Sequence, residues 1–295
     1  MKLHPTPFLA PPQQFRDPRT ARVVIVPFPY EGGVSYGQGA ADAPQAILEA
    51  SQQVEFYDEV LDAEPYRVGI ATSAVPDIAD DAGHMLAGLT AFTEALLNQG
   101  KFVVLVGGDH SISPSYARAL SRLHPVFGVI QLDAHADLRQ SYQQSPDSHA
   151  CAMARIREIT PHTLQIGIRS MAAREARQVK EENLPLCTMH QWRQGRFDLK
   201  AALAALPEKV LITLDLDVFD WSVIASTGTP EPGGMLWDEM LQLLRDIFAA
   251  KEVIGCDVVE LAYQPHDRNS PFAAAKLIYK MIGFKFASQL AELSD

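Results

Sequence analysis

Residues 126–137 read Val-Phe-Gly-Val-Ile-Gln-Leu-Asp-Ala-His-Ala-Asp, and this stretch narrows the possible folds more than any other. It opens as a run of apolar and β-branched residues, the pattern of a strand buried on both faces. Such a strand belongs inside a sheet that helices cover. It then places Asp133, His135 and Asp137 at alternate positions. In an extended segment these three side chains project to one side while Ala134 and Ala136 take the other. Two carboxylates and an imidazole at the end of an apolar strand suffer desolvation and like-charge repulsion together, and a cation relieves both.

The rest of the chain repeats the sequence of buried strand, polar end and helix. Residues 21–28 form the first strand candidate, followed by a glycine-rich loop and a helix from about Ala43, with Pro44 where helix starts tolerate proline. That loop contains Gly33-Val34-Ser35-Tyr36-Gly37, a match to the Gly-x-Ser-x-Gly elbow of serine hydrolases. The elbow needs a strand that turns sharply into a helix. Here the strand signal ends earlier and six residues separate Gly37 from Pro44, so the match reads as a loop. Helical spacing marks 80–99, 114–123, 150–159, 171–182, 198–206, 236–250 and a last helix from Pro271. Continuous apolar runs mark strands at 102–106, 163–168, 209–218 and 252–260 beside the central one.

Residues 1–20, proline-rich and polar, read as an irregular arm. No linker of biased composition divides 21–295, which reads as a single domain, a three-layer α/β/α fold with a mostly parallel sheet. Ligands of such sheets bind beyond the carboxyl ends of the strands, where every polar cluster of this chain falls.

A net charge of -11 argues against a nucleic-acid partner and suits a cationic substrate. No apolar run is long enough to span a membrane, and the N-terminus lacks the apolar core of a secretory signal. Cys151, Cys187 and Cys256 are odd in number and widely spaced. They read as small buried side chains of a cytoplasmic protein rather than as disulfides, a zinc site or, at Cys151, a nucleophile.

Three strand ends contribute possible metal ligands: His110 after Gly107-Gly108-Asp109, then Asp133, His135 and Asp137, then Asp215 and Asp217. Four carboxylates and two imidazoles exceed one ordinary zinc site. They suit two hard divalent ions, with manganese favoured because oxygen predominates. Asp109 reads as a structural turn residue, and His266 as a surface histidine or part of a pocket rim.

Gly-Gly-Asp-His-Ser at 107–111, Asp-Ala-His-Ala-Asp at 133–137 and Asp-Leu-Asp-Val at 215–218 followed by Gly-Thr-Pro occur in an order that resembles the ureohydrolases, the arginase and agmatinase superfamily. The likeness runs from the loop near Gly33 to Glu260. It implies an arginase-like fold and two Mn2+ per chain, one held by His110, Asp133, Asp137 and Asp215, the other by Asp133, His135, Asp215 and Asp217. It further implies that His149 shuttles protons and that Glu260 receives the substrate's guanidinium, with Thr229 either bonding nearby or shaping its loop. The reaction so implied is attack on the guanidinium carbon by hydroxide drawn from a water shared by both ions. Asp137 passes the proton to the leaving nitrogen, and urea and an amine result.

Arginases carry a Ser-Gly-Asn type segment that binds the α-carboxylate and amino group, where this chain has Ser145-Pro146-Asp147-Ser148. The resemblance therefore favours agmatine, cleaved to putrescine and urea in polyamine biosynthesis, with Asp147 near the distal ammonium. Aminopropylagmatine, guanidinobutyrate and arginine are the alternatives within the class. A metal-bearing polyamine-binding protein and a one-zinc amide hydrolase are the alternatives outside it. A homo-oligomer, trimer or hexamer, is the assembly the family implies.

Overall fold

The computed structural model describes residues 1–76 and 82–293, and the apolar runs of the sequence all enter one sheet. These are β1 (Val23–Phe28), β3 (Phe102–Gly107), β4 (Gly128–Leu132), β5 (Thr163–Ile168), β7 (Lys209–Asp215) and β8 (Glu252–Val259). Sequence reasoning missed β2 (Ile70–Thr72) and β6 (Leu186–Thr188). Each is a three-residue edge strand, too short to show a period. The order is β2-β1-β3-β8-β7-β4-β5-β6. Every pairing is parallel, so the sheet expected to be mostly parallel is wholly so among the described strands.

Side chains alternate across β1 and feed two cores. Val23 and Ile25 pack on the face covered by α1 (Ala43–Ser51), α8 (Trp237–Ala250) and α9 (Asn269–Lys285), with Ile47, Leu243 and Ile278 among the residues buried there. Val24 and Val26 face α2 (Ala82–Leu97), α3 (Ser113–Leu123) and α4 (Ala152–Arg157), against Leu89, Leu120 and Ile156. Helices α5 (Ala173–Glu181), α6 (Met189–Arg193), α7 (Leu199–Ala205) and α10 (Ala287–Leu293) complete the three layers. Positions 80 and 81 of the helix expected over 80–99 lie outside the described residues. The helix expected from Pro271 starts at Asn269 and is interrupted at Phe286, where α10 follows.

Residues 1–20 hold one short helical turn, Gln13–Phe15, yet they bury Phe8 and Leu9. The Phe8 amide donates to Thr72 Oγ1 (2.9 Å) and the Leu9 amide to Ser51 Oγ (2.8 Å). Leu3 bridges Ser73 and so lies along the outer edge just past β2. No helix among the described residues is long and apolar enough to cross a membrane.

The strand ends differ from the extended geometry that sequence suggests. β4 stops at Leu132 and β7 at Asp215, after which Leu216–Val218 form one helical turn. The same device closes three strands. A carboxylate captures the backbone N–H two residues on, as short Asp side chains do in turns: Asp109 Oδ1 from Ser111 (2.9 Å), Asp133 Oδ1 from His135 (2.5 Å) and Asp215 Oδ1 from Asp217 (2.8 Å). β3, β8, β7 and β4 are neighbours in the sheet, and their ends form one wall.

Candidate active site

Three carboxylates from those strand ends converge on one histidine nitrogen. His110 Nδ1 lies 3.1 Å from Asp133 Oδ2, 3.2 Å from Asp137 Oδ2 and 3.3 Å from Asp215 Oδ2. The nitrogen is buried and has no hydrogen-bond partner among the described residues. An orphaned polar atom facing three carboxylates is costly unless a cation lies between them. The separations are those of ligands that share an ion at about 2.1 Å from each. His110 Nε2 points away and donates to Thr213 Oγ1 (2.8 Å), which donates to Asp257 Oδ1 (2.7 Å). That chain of donors keeps the proton on Nε2 and turns the Nδ1 lone pair toward the carboxylates.

A second group lies alongside. His135 Nδ1 is 2.9 Å from Asp217 Oδ2 and 3.7 Å from Asp133 Oδ1. Asp133 thus shows one oxygen to each histidine, as a carboxylate shared by two ions does. Among the described residues His110, Asp133 and Asp137 form one possible metal-holding group, and Asp133, His135 and Asp217 another. Asp215 meets the first group through Oδ2, while its Oδ1 accepts from the Asp217 amide. Thr229 hydrogen-bonds Asp217 Oδ2 at 3.4 Å and lines the cavity.

Without ions the cluster's protonation is strongly skewed. Burial, reinforced by the Asp133 charge, lifts the Asp137 carboxyl to about 6. Burial, with Asp217 and Asp133 nearby, lifts Asp215 well above the carboxylate range. Burial opposes a cationic His135, but the Asp217 and Asp133 carboxylates outweigh it and raise the imidazole to about 12. Protons fill the role that positive charge must play in this basin.

Glu260 and His149 stand at the rim of the first group. Glu260 adopts φ 67°, the left-handed region, and its amide donates to Gly108 O (2.8 Å). Oε1 accepts from the His110 amide (2.7 Å) and faces His149 Nδ1 at 3.4 Å, while the buried Oε2 has no hydrogen-bond partner among the described residues. Burial opposes a cationic His149, but Glu260 overcomes it and raises the imidazole to about 9. Asp137 also sits in the left-handed region, at φ 51°.

The close approach of the Gly33 loop depends on Asp109 and on glycine. Asp109 Oδ2 accepts from the Gly33 amide (2.7 Å), and Oδ1 accepts from both the amide and hydroxyl of Ser111. A side chain on Gly108 would overlap the Tyr30 carbonyl. A cavity of about 250 Å³ opens over the cluster, lined by Ser35, His135, Asp137, His149, Asp215 and Thr229. Arg139, Ala172 and Glu175 also line a second cavity, of about 540 Å³. Asp147 is exposed and lies instead beside Ser111, Arg118 and Arg155. His266 is exposed, and all three cysteines are buried and free.

Sequence reasoning passed over the residues behind these ligands. Gln131 Nε2 donates to Asp133 Oδ2 (2.6 Å), and Gln165 Nε2 bonds both Gln131 Oε1 and the Ala136 carbonyl. Arg169 reaches the carbonyls of Gly167, Asp217, Val218, Phe219, Glu231 and Pro232, tying the 231–232 segment to the ends of β5 and β7. The available signal was a polar residue inside an apolar run: Gln131, Thr213 and Asp257 each precede a site residue by two or three positions.

A parallel sheet that gathers carboxylates and imidazoles at the ends of neighbouring strands, beside a free glutamate oxygen, defines an α/β class with a metal-type centre at the strand ends. The chain belongs to the arginase family, whose sequence pattern matches residues 21–283, and it is agmatinase-like within the ureohydrolase superfamily. It is 39% identical to an N(1)-aminopropylagmatine ureohydrolase of Synechocystis sp., covering 98% of this chain and 99% of that protein. An agmatinase of Pyrococcus horikoshii is 31% identical over 90% of this chain and 93% of its own. Among solved structures, proclavaminate amidino hydrolase from Streptomyces clavuligerus superposes with a TM-score of 0.85 over 96% of this chain and 97% of its own, at 23% identity, a shared fold.

Proposed function

We propose that this hydrolase of guanidino groups releases urea from a guanidinated polyamine, with N(1)-aminopropylagmatine as first substrate and agmatine as second. The observation that carries the reaction is the unpartnered Glu260 Oε2 beside the ring of carboxylates around His110. A planar, cationic guanidinium pairs with such a carboxylate, and Glu260 faces His149, which lines the 250 Å³ cavity. The 39% identical relative supports the longer substrate. Agmatine, favoured on sequence, rests on the 31% identical relative.

Two Mn2+ would be held by His110, Asp133 and Asp137 with Asp215, and by Asp133, His135 and Asp217, offsetting the carboxylate charge and supplying a hydroxide nucleophile near neutral pH. Asp137, its carboxyl turned into the cavity, takes the nucleophile's proton and hands it to the leaving nitrogen. Glu260 orients the substrate, its other oxygen fixed by the His110 amide. His149 exchanges protons between the cavity and solvent. A substrate rich in positive charge matches the chain's net charge of -11, which disfavours a nucleic-acid partner. A cytoplasmic location suits the free buried cysteines. The assembly belonging to this reading is a homo-oligomer, trimer or hexamer, which light scattering checks.

Urea release assayed across N(1)-aminopropylagmatine, agmatine, guanidinobutyrate and arginine, after manganese loading, tests the proposal. The highest kcat/KM is expected for N(1)-aminopropylagmatine, then agmatine. A preference for arginine would sink the substrate assignment, and no urea from any compound would sink the reaction.

A further inference from the structure

The loop Gly33-Val34-Ser35-Tyr36-Gly37 is no nucleophile elbow, yet its hydroxyl reaches the imidazole that carries protons. Ser35 Oγ lies 2.8 Å from His149 Nε2, and Ser35 lines the same cavity as His149 and Asp137. The other imidazole nitrogen faces Glu260 Oε1. The loop is anchored around the hydroxyl: Gly33 N donates to Asp109 Oδ2, while Gly33 O accepts from Ser148 Oγ (3.2 Å) and from the His149 amide (3.3 Å). Further along, the Gly37 amide donates to Gly228 O (2.9 Å). A Cβ on Gly33 would sit 3.0 Å from His149 N and 3.1 Å from Asp109 Oδ1, so a side chain there would press on both.

A hydroxyl donates and accepts at once, so it serves an imidazole in both protonation states. With His149 cationic, Nε2–H donates to Ser35 Oγ. With His149 neutral and Nδ1–H turned to Glu260, the Ser35 O–H donates to Nε2.

We propose that Ser35 is a positioning residue that holds His149 in the tautomer facing Glu260 and completes its proton path to the cavity. The Nε2–H bond breaks as that proton passes to Ser35 Oγ, and the serine's own O–H proton passes to a cavity water, so that Ser35 ends as a neutral hydroxyl. This rests on His149 being the proton carrier.

Ser35→Ala, Ser35→Thr and His149→Ala in the manganese-loaded full chain test it. Ser35→Ala is expected to lower kcat about tenfold or more and to move the pH profile of kcat, with KM and metal content unchanged. Ser35→Thr, which keeps the hydroxyl, should recover kcat to within about threefold. Independently of turnover, the 15N shifts of His149 in labelled metal-free protein should report loss of the Nε2 hydrogen bond in Ser35→Ala alone. Wild-type kcat and pH profile in Ser35→Ala, with collapse in His149→Ala, overturns the inference and leaves the His149 assignment standing. Wild-type rates in both variants overturn that assignment as well. Metal loss in Ser35→Ala, no recovery by Ser35→Thr or unchanged 15N shifts would reduce Ser35 to a packing residue and overturn the proposal.

Discussion

Glu260 presents its free oxygen from a left-handed backbone position, φ 67°, which costs an L residue roughly 1–2 kcal/mol. Asp137 bears the same cost at φ 51°. Both residues are buried at the site, the Asp137 carboxylate 3.2 Å from His110 Nδ1 and the Glu260 carboxylate accepting from the His110 amide. Strain at a functional residue persists where surrounding contacts over-determine it, and Glu260 is held by the Gly108 carbonyl and the His110 amide. Glu260→Gln keeps the shape and removes the charge. The expected result is a fall in kcat/KM for urea release of about 10²–10³-fold, with metal content by elemental analysis unchanged. Activity within tenfold of wild type would rule out Glu260 as the guanidinium's anion.

At the scale of the element, each of β3, β4 and β7 ends in an aspartate that captures the amide two residues on. The turn ends the strand and aims the next side chains at one point, so ligand spacing along the chain reflects turn chemistry rather than strand pleat. Behind the ligands the strands carry polar residues that their neighbours satisfy. Thr213 of β7 links His110 to Asp257 of β8. Thr213→Val preserves the volume and breaks that chain. Its effect should appear as a 10–100-fold weaker manganese affinity, the usual consequence of losing the group that orients a ligand histidine, read by titration calorimetry on chelated protein. Unchanged affinity would show that packing alone orients His110.

For the whole molecule, the sheet order brings β3, β8, β7 and β4 side by side, which concentrates buried acids from distant parts of the chain. Burial lifts the Asp257 carboxyl to about 6, and the His149 imidazole is raised to about 9 despite burial, by Glu260. Both folded values exceed those of the unfolded chain, so folded protein holds protons that unfolded protein has released. Stability of metal-free protein therefore falls as pH rises, through roughly 4 to 6 for Asp257 and 6.5 to 9 for His149. Chelated protein is expected to melt on the order of 5 °C lower at pH 8 than at pH 5. Added Mn2+ should narrow the gap, because metal binding displaces protons and stabilises the folded state. A melting temperature that stays flat or rises from pH 5 to pH 8 in chelated protein would refute the linkage.

The sequence by itself determined the class of fold, because continuous apolar runs alternating with helical periods leave a strand-rich chain little choice but a helix-covered parallel sheet. It also determined which residues meet at the metal-type centre: His110, Asp133, His135, Asp137, Asp215 and Asp217 stand at strand ends in the linear chain and come together in space. The edge strands β2 and β6 were not legible, since three residues carry no period. Tertiary structure alone decided what supports and flanks the ligands. Ser35 and His149 are 114 positions apart, and Gln165 reaches Gln131 only because β5 lies beside β4. Local patterning records whether a side chain is buried, whereas a hydrogen bond between distant segments depends on the order in which strands are laid into the sheet.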